Sequence, residues 1–355
     1  MADTMWPAHN RAIHIMKDTA FQSAWNFLRM PAGLASPARA AAWVLPVPYE
    51  STTCYGAGTR DGPSAIIAAS RQVEFYDLEL DCEPALRFGI HTTNPLAPVH
   101  GAPEAMAAVV ERAVAGILGG AHPPRILAIL GGEHSISAGA VRGVAAAMRP
   151  KGRSKARDLV VVQVDAHGDL RDSYEGSRWS HACAGRRILD VCPLFQVGVR
   201  SLSAEEAELL RRRRDVKAVF ASEAAEGRAA LDALASFVRG KRVYLSIDLD
   251  GLDPSIMPAV GTPEPGGLSW QRLLEVVRVV LSEAAGVPAF DVVELAPIPG
   301  QHAPDYLAAT LVYKVISLAL LGRGKKTRRR GDTGTRRRSA ASRRRALRQE
   351  ESNEK

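Results

Sequence analysis

The chain has little with which to build disulfides: its four cysteines (Cys54, Cys82, Cys183, Cys192) lie far apart in 355 residues, with no Cys-x-x-Cys spacing. That excludes a stapled secreted scaffold and a zinc knuckle, and it fits reduced thiols in a cytoplasmic protein. An apolar targeting core is missing too, because Met1 to Trp25 mixes Asp, His, Lys and Arg. The longest apolar run, Leu307 to Leu321, is interrupted by Lys314. At that length it reads as a buried helix too short to span a bilayer, so no membrane partner is expected. An excess of charge of one sign is nearly absent from the body. Residues 322–355 hold fourteen Lys/Arg against four Asp/Glu, a net +10, which leaves the first 321 residues near −2 of the overall +8.

That basic C-terminal segment carries Arg triplets among Gly, Ser and Thr and has almost nothing to bury, so it is expected to be a disordered tail. Its charge suits weak, counterion-releasing contact with nucleic acid, although it has no aromatics to stack on bases. Residues 1–38 read as an N-terminal extension with short helices, and 39–321 as one body rich enough in apolar residues (46% of the chain) to bury a full core.

Within the body, short apolar runs alternate with helical patterns. Strands are expected at Trp43–Val47, Arg87–Ile90, Ile126–Leu130, Leu159–Val164, Leu194–Val199, Ala218–Ala221, Val243–Ile247 and Phe290–Leu295. Most of these runs are continuous, as strands covered on both faces of a parallel sheet require. Helices are expected at Glu104–Leu118, Ile136–Met148, Ala204–Arg214, Arg228–Arg239, Trp270–Ala285 and Pro304–Leu320, with Ser203/Glu206 forming a capping box and Ser269 an N-cap. The pattern is that of an α/β protein, a three-layer α/β/α sandwich on an eight-stranded, mostly parallel sheet.

Ligands collect at the carboxyl ends of parallel strands. Three expected strands run there into metal-ligand residues: Gly131-Gly132-Glu133-His134, Asp165-Ala166-His167-Gly168-Asp169, and Asp248-Leu249-Asp250. On extended backbone, residues i and i+2 point the same way, roughly 6–7 Å apart, so Asp165 with His167 and Asp248 with Asp250 each aim two ligands at one point. Four carboxylates gathered without cations would repel strongly. With two imidazoles they suit two hard or borderline divalent ions about 3.5–4 Å apart. Two further residues stand out. His181 follows a glycine-containing loop, Ser173–Trp179, and could shuttle a proton; Glu294 interrupts an apolar strand and must be paired or functional.

These stretches resemble the ureohydrolases, the arginase and agmatinase superfamily: GGEHSIS (131–137), DAHGDLRD (165–172), SHACAGRR (180–187), SIDLDGLDPSIMPAVGTPEPGGL (246–268), DVVELAP (291–297) and VPYESTTCYGAGTRDGPSAI (47–66). The resemblance covers roughly 40–321. It implies two manganese ions, one held by His134, Asp165, Asp169 and Asp248, the other by Asp165, His167, Asp248 and Asp250. It implies that His181 is the catalytic histidine and Glu294 the guanidinium-binding acid. It also implies a homo-oligomer, trimeric or hexameric, that hydrolyses a small guanidino substrate to urea and a primary amine.

The segment Ser173–Arg187 is similar to the agmatinase version, which puts agmatine first, with putrescine and urea as products. Ala184-Gly185 stands where such enzymes commonly carry Val-Met, and Ala259 where many have Gly. The first change is expected to widen the pocket mouth for aminopropylagmatine. Arg171, Arg178, Arg186 and Arg187 keep 4-guanidinobutyrate and arginine open unless they pair with Asp172, Glu175 and other acids. A non-catalytic scaffold with a nucleic-acid-binding tail, and a deacetylase on a related fold, are the remaining readings.

Overall fold

The computed structural model describes residues 25–149, 158–225 and 227–321. The expected disordered tail, 322–355, and most of the expected N-terminal extension lie outside the described residues. Within residues 25–38, Phe27, Leu28 and Met30 are buried in the core, and short helical turns cover Phe27–Arg29 and Ala32–Ala35.

Eight strands form one sheet: β1 (Ala42–Val47), β2 (Ile90–Thr92), β3 (Ile126–Gly131), β4 (Leu159–Val164), β5 (Leu194–Val199), β6 (Val216–Phe220), β7 (Arg242–Asp248) and β8 (Gly286–Val293). Their spatial order is β2-β1-β3-β8-β7-β4-β5-β6. Every neighbouring pair is parallel, where a mostly parallel sheet was expected. The apolar runs are continuous because alternate residues serve two cores. On one face, Val160, Val162 and Val164 of β4 join Ala128 and Leu130 of β3 and Val243, Leu245 and Ile247 of β7. Helices Gly62–Ser70, Ala229–Val238, Trp270–Glu283 and His302–Leu321 supply the apolar residues that cover this face. Leu159 and Val161 of β4 join Leu127, Ile129 and Tyr244 on the opposite face, under helices Pro103–Gly119, Ile136–Ala147 and Ala184–Leu189.

Several boundaries differ from expectation. Arg87 and Phe88 end a short helix, Pro84–Phe88, and the strand starts only after Gly89, at Ile90. Pro84 at the helix start supplies a preset φ, which favours the turn over a strand. The last strand ends at Val293, so Glu294 follows the strand instead of interrupting it. Ala221 opens a helix instead of closing a strand. The capping box at Ser203/Glu206 and the Ser269 cap both form.

The apolar C-terminal helix is His302–Leu321, 20 residues, so its length alone would allow a membrane span, contrary to the length argument made from the sequence. Its burial argues the other way, since most of it packs inside the fold. Lys314 explains how a cation sits in this run: Nζ lies 2.9 Å from both oxygens of Asp77 and 2.9 Å from Glu79. Arg278 also pairs with Glu79, and its hydrogen bond, against the effect of burial, holds that carboxyl at about 2. Lys314→Met is expected to cost about 3 kcal/mol, because the Asp77 side chain is 5% exposed and would lose its cation. Chemical denaturation checks this; an unchanged midpoint would show the ion pair to be unimportant.

Candidate metal centre

Strand order creates the site. β3, β8, β7 and β4 are consecutive in the sheet, and their carboxyl ends carry His134, Glu294, Asp248 and Asp165 respectively. Gly132 makes the β3 end possible: a Cβ there would lie 1.9 Å from the Tyr49 carbonyl oxygen, so no other residue permits this approach. Its own carbonyl accepts from the Glu294 amide at 2.8 Å, which ties the two strand ends together.

All six expected ligands converge. The donor atoms of His134, Asp165 and Asp248 lie within 4.8 Å of one another, as do those of Asp165, His167 and Asp250, so Asp165 belongs to both groups. Asp169 joins the first, its Oδ2 3.0 Å from His134 Nδ1. Asp165, Asp169, Asp248 and Asp250 are all buried. Asp248 and Asp250 do aim at one cluster, but not as alternate residues of an extended strand. Asp250 lies in a 3-10 turn, Leu249–Gly251, and the Asp248 side chain caps it by accepting from the Asp250 amide at 2.9 Å.

The polar network fixes what this cluster needs. Asp291 accepts from Tyr244 at 2.5 Å and from Ser246 at 2.7 Å, so the Ser246 hydroxyl hydrogen is committed. Ser246 Oγ, 3.0 Å from His134 Nε2, must then accept from it. The Nδ1 lone pair is left facing carboxylate oxygens of Asp165, Asp169 and Asp248 at 3.2, 3.0 and 3.0 Å, without a hydrogen bond to any. A lone pair and three acceptors meeting in a buried spot call for positive charge, and a metal ion supplies it with the right donor types. In the protein alone, burial together with Asp169 and Asp250 pushes Asp165 up to about 7. Burial and the neighbouring carboxylates also raise Asp248 well above the usual range. His167 rises to about 10 against its burial, through its 2.9 Å contact with Asp250. The residues fit a pair of cations.

Glu294 is buried at the cleft floor with φ +66, a backbone region costly for a residue with a side chain. Its Oε1 accepts from the His134 amide at 2.5 Å, and burial raises its pKa well above the ordinary value. His181 opens a 3-10 turn, His181–Cys183, with Nε2 3.8 Å from Cys54 Sγ and its ring edge-on to Tyr174. Both residues line one cleft of about 260 Å³ together with His134, His167, Asp169, Asp248 and Asp250.

Other expectations at the cleft are corrected. Ala184 and Gly185 are buried and do not line it; a Cβ on Gly185 would lie 2.9 Å from the Gly168 carbonyl oxygen. Gly185 lets a helix press against the ligand loop, and neither small residue widens the mouth. Ala259 is buried, its carbonyl accepting from the Ala296 amide. Arg178, Arg186 and Arg187 all turn to Asp172, and Arg171 alone of the four lines the cleft, 3.9 Å from Glu206. Ser246, Asp291 and Gln163, whose amide donates to Asp165 at 2.6 Å, were missed from sequence. Their signal was a polar residue inside an otherwise apolar central strand.

Known proteins resemble this chain over most of its length. The Arginase family model matches residues 40–317. An N(1)-aminopropylagmatine ureohydrolase of Synechocystis is 38% identical over 285 residues, covering 80% of this chain and 90% of the relative. An agmatinase of Pyrococcus horikoshii is 33% identical over 282 residues, covering 78% and 91%. The crystal structure of the agmatine ureohydrolase of Thermoplasma volcanium superposes with a TM-score of 0.69 at 31% identity, covering 80% and 91%. The arginase family consists of binuclear-metal enzymes, and this chain belongs to it as a metal-dependent ureohydrolase.

Proposed function

We propose that the substrate is a guanidino compound with a long cationic tail, aminopropylagmatine before agmatine, cleaved to urea and a polyamine. The observation that carries this is the charge of the cleft. Once two divalent ions offset the four aspartates, Glu294 and Glu206 remain against Arg171, and Glu264 stands at 3.8 Å from His167 Nε2. Such a cleft favours a polycation over 4-guanidinobutyrate or arginine, which bring a carboxylate. The names of relatives at 38% identity support the longer amine, so agmatine, first by sequence, becomes the second choice.

His134, Asp165, Asp169 and Asp248 would hold one ion, and Asp165, His167, Asp248 and Asp250 the other; the carboxylate-rich donor set suits manganese. When bound, the ions supply a water acidic enough to act as hydroxide near neutral pH. Glu294 pairs with the guanidinium and holds its carbon in the cleft. His181 Nε2 gives a proton to the departing amine nitrogen. The reading extends to a cytoplasmic homo-oligomer, supported by the family resemblance and the scattered cysteines. It also extends to weak nucleic-acid contact by the basic residues 322–355, supported by their net charge.

Urea release with manganese across aminopropylagmatine, agmatine, 4-guanidinobutyrate and arginine tests the substrate. The highest kcat/KM is expected for aminopropylagmatine. A clear preference for arginine or guanidinobutyrate would overturn the charge argument.

A further inference from the structure

Thr52 and Glu133 are neither expected metal ligands nor guanidinium contacts, yet together they reach His181. The Glu133 side chain is buried, and both its oxygens are occupied by donors. Oε2 accepts from the amides of Ser51 and Thr52 at 2.6 Å each, and Oε1 from the hydroxyls of Ser135 at 2.6 Å and Thr52 at 2.8 Å. Four donors on one buried side chain identify a carboxylate that acts only as acceptor.

The single hydrogen of the Thr52 hydroxyl is therefore committed to Glu133. Toward His181 the same oxygen can only accept, and it does so twice: from the His181 amide at 3.0 Å and at the Nδ1 position at 3.2 Å. Ser180 Oγ also lies 3.3 Å from Nδ1, but its hydroxyl can donate or accept and so decides nothing. Cys54 Sγ, 3.8 Å from Nε2, is equally able to donate or accept, so among the described residues only Thr52 discriminates between the tautomers. Nδ1 must carry hydrogen, which leaves Nε2, the nitrogen near Cys54 at the cleft wall, as the one that exchanges protons.

We propose that Thr52 is a positioning residue for His181: it imposes the Nδ1–H tautomer through a hydroxyl polarised by the Glu133 carboxylate. This rests on the reading of His181 as the proton donor to the leaving amine. The Nδ1–H tautomer leaves the Nε2 lone pair open toward the cleft, so a proton taken up there can be passed to the departing amine. Without the threonine hydroxyl, Ser180 is free to donate to Nδ1, and the ring changes to the Nε2–H form, whose Nε2 has no lone pair to take up a proton and whose neutral N–H is a poor acid.

The test compares Thr52→Val with Thr52→Ser in the manganese-loaded enzyme. Valine keeps the shape and removes the hydroxyl; serine restores it. In the valine variant kcat is expected to fall roughly 10²-fold, the scale of general acid catalysis, with KM changed less than about threefold and both ions retained. Serine is expected to recover kcat to within about threefold of the parent. Selective ¹⁵N-histidine NMR, with His181→Gln used to assign the signal, should show Nδ1–H in the parent and serine variant and Nε2–H in the valine variant. Unchanged tautomer in the valine variant would overturn the proposal, as would full kcat there or equal loss in both variants. If the parent releases no urea from any guanidino compound, the functional reading fails, while the tautomer spectra still decide the role of Thr52.

Discussion

Asp165→Asn is expected to abolish turnover and, in the same protein stripped of metal, to raise thermal stability. The two effects have one cause. Asp165 belongs to both groups of ligand atoms, so its loss weakens both ion positions at once. Lewis-acid activation is worth several kcal/mol, which puts the fall in kcat/KM at roughly 10³-fold or more. Without ions, the same carboxylate is a burden, because burial and its neighbours Asp169 and Asp250 disfavour its charge. Its pKa stands at about 7 in the folded protein against an ordinary 3.8, so the folded state binds the proton more tightly than the unfolded chain. The penalty is thus full above pH 7 and is relieved as pH falls from 7 toward 4. In chelator, the asparagine variant should melt a few degrees higher than the parent at pH 8, with the gap closing toward pH 5. Urea assay, metal analysis and melting curves at the two pH values check this. A chelated variant less stable than the parent at pH 8 would contradict the repulsion argument, and retained turnover would remove Asp165 from the site.

Glu294→Gln is expected to spare the metal centre and lose the substrate. Glutamine keeps the oxygen that accepts from the His134 amide and the left-handed backbone that already tolerates a side chain, so the strand ends should stay in place. What disappears is the negative charge at the cleft floor. Leaving a buried cation without its partner costs about 3–5 kcal/mol, which corresponds to a fall in kcat/KM on the order of 10²–10⁴-fold. Metal analysis should find both ions retained, in contrast to Asp165→Asn. A variant that loses its ions would make Glu294 a support of His134, and one with unchanged kcat/KM would remove the guanidinium contact.

Much of this was legible along the chain because it depends on short-range chemistry. The continuous valine and leucine runs required strands covered on both faces. The acids and histidines at three strand ends required cations, whatever the order of those strands. His181 and Glu294 were conspicuous because a loop histidine and a lone acid beside an apolar run need a partner. Boundaries were less legible: Arg87–Phe88 reads as strand until the helix that Pro84 begins is seen.

Other features were decided by tertiary structure alone. β7 and β8 insert between β3 and β4, and this crossover places Glu294 and Asp248 between His134 and Asp165. No local pattern encodes it, because strand order follows from how helices pack on the two faces. The same holds for Gly185, small for the sake of a helix that presses on Gly168 and not for the pocket mouth. It holds too for Thr52, 129 positions from His181 in the chain and within hydrogen-bond reach in space. Sequence by itself determined which donor groups exist and that they need positive charge. Only the folded chain decided which of them meet, because hydrogen-bond direction and burial exist only between residues brought together.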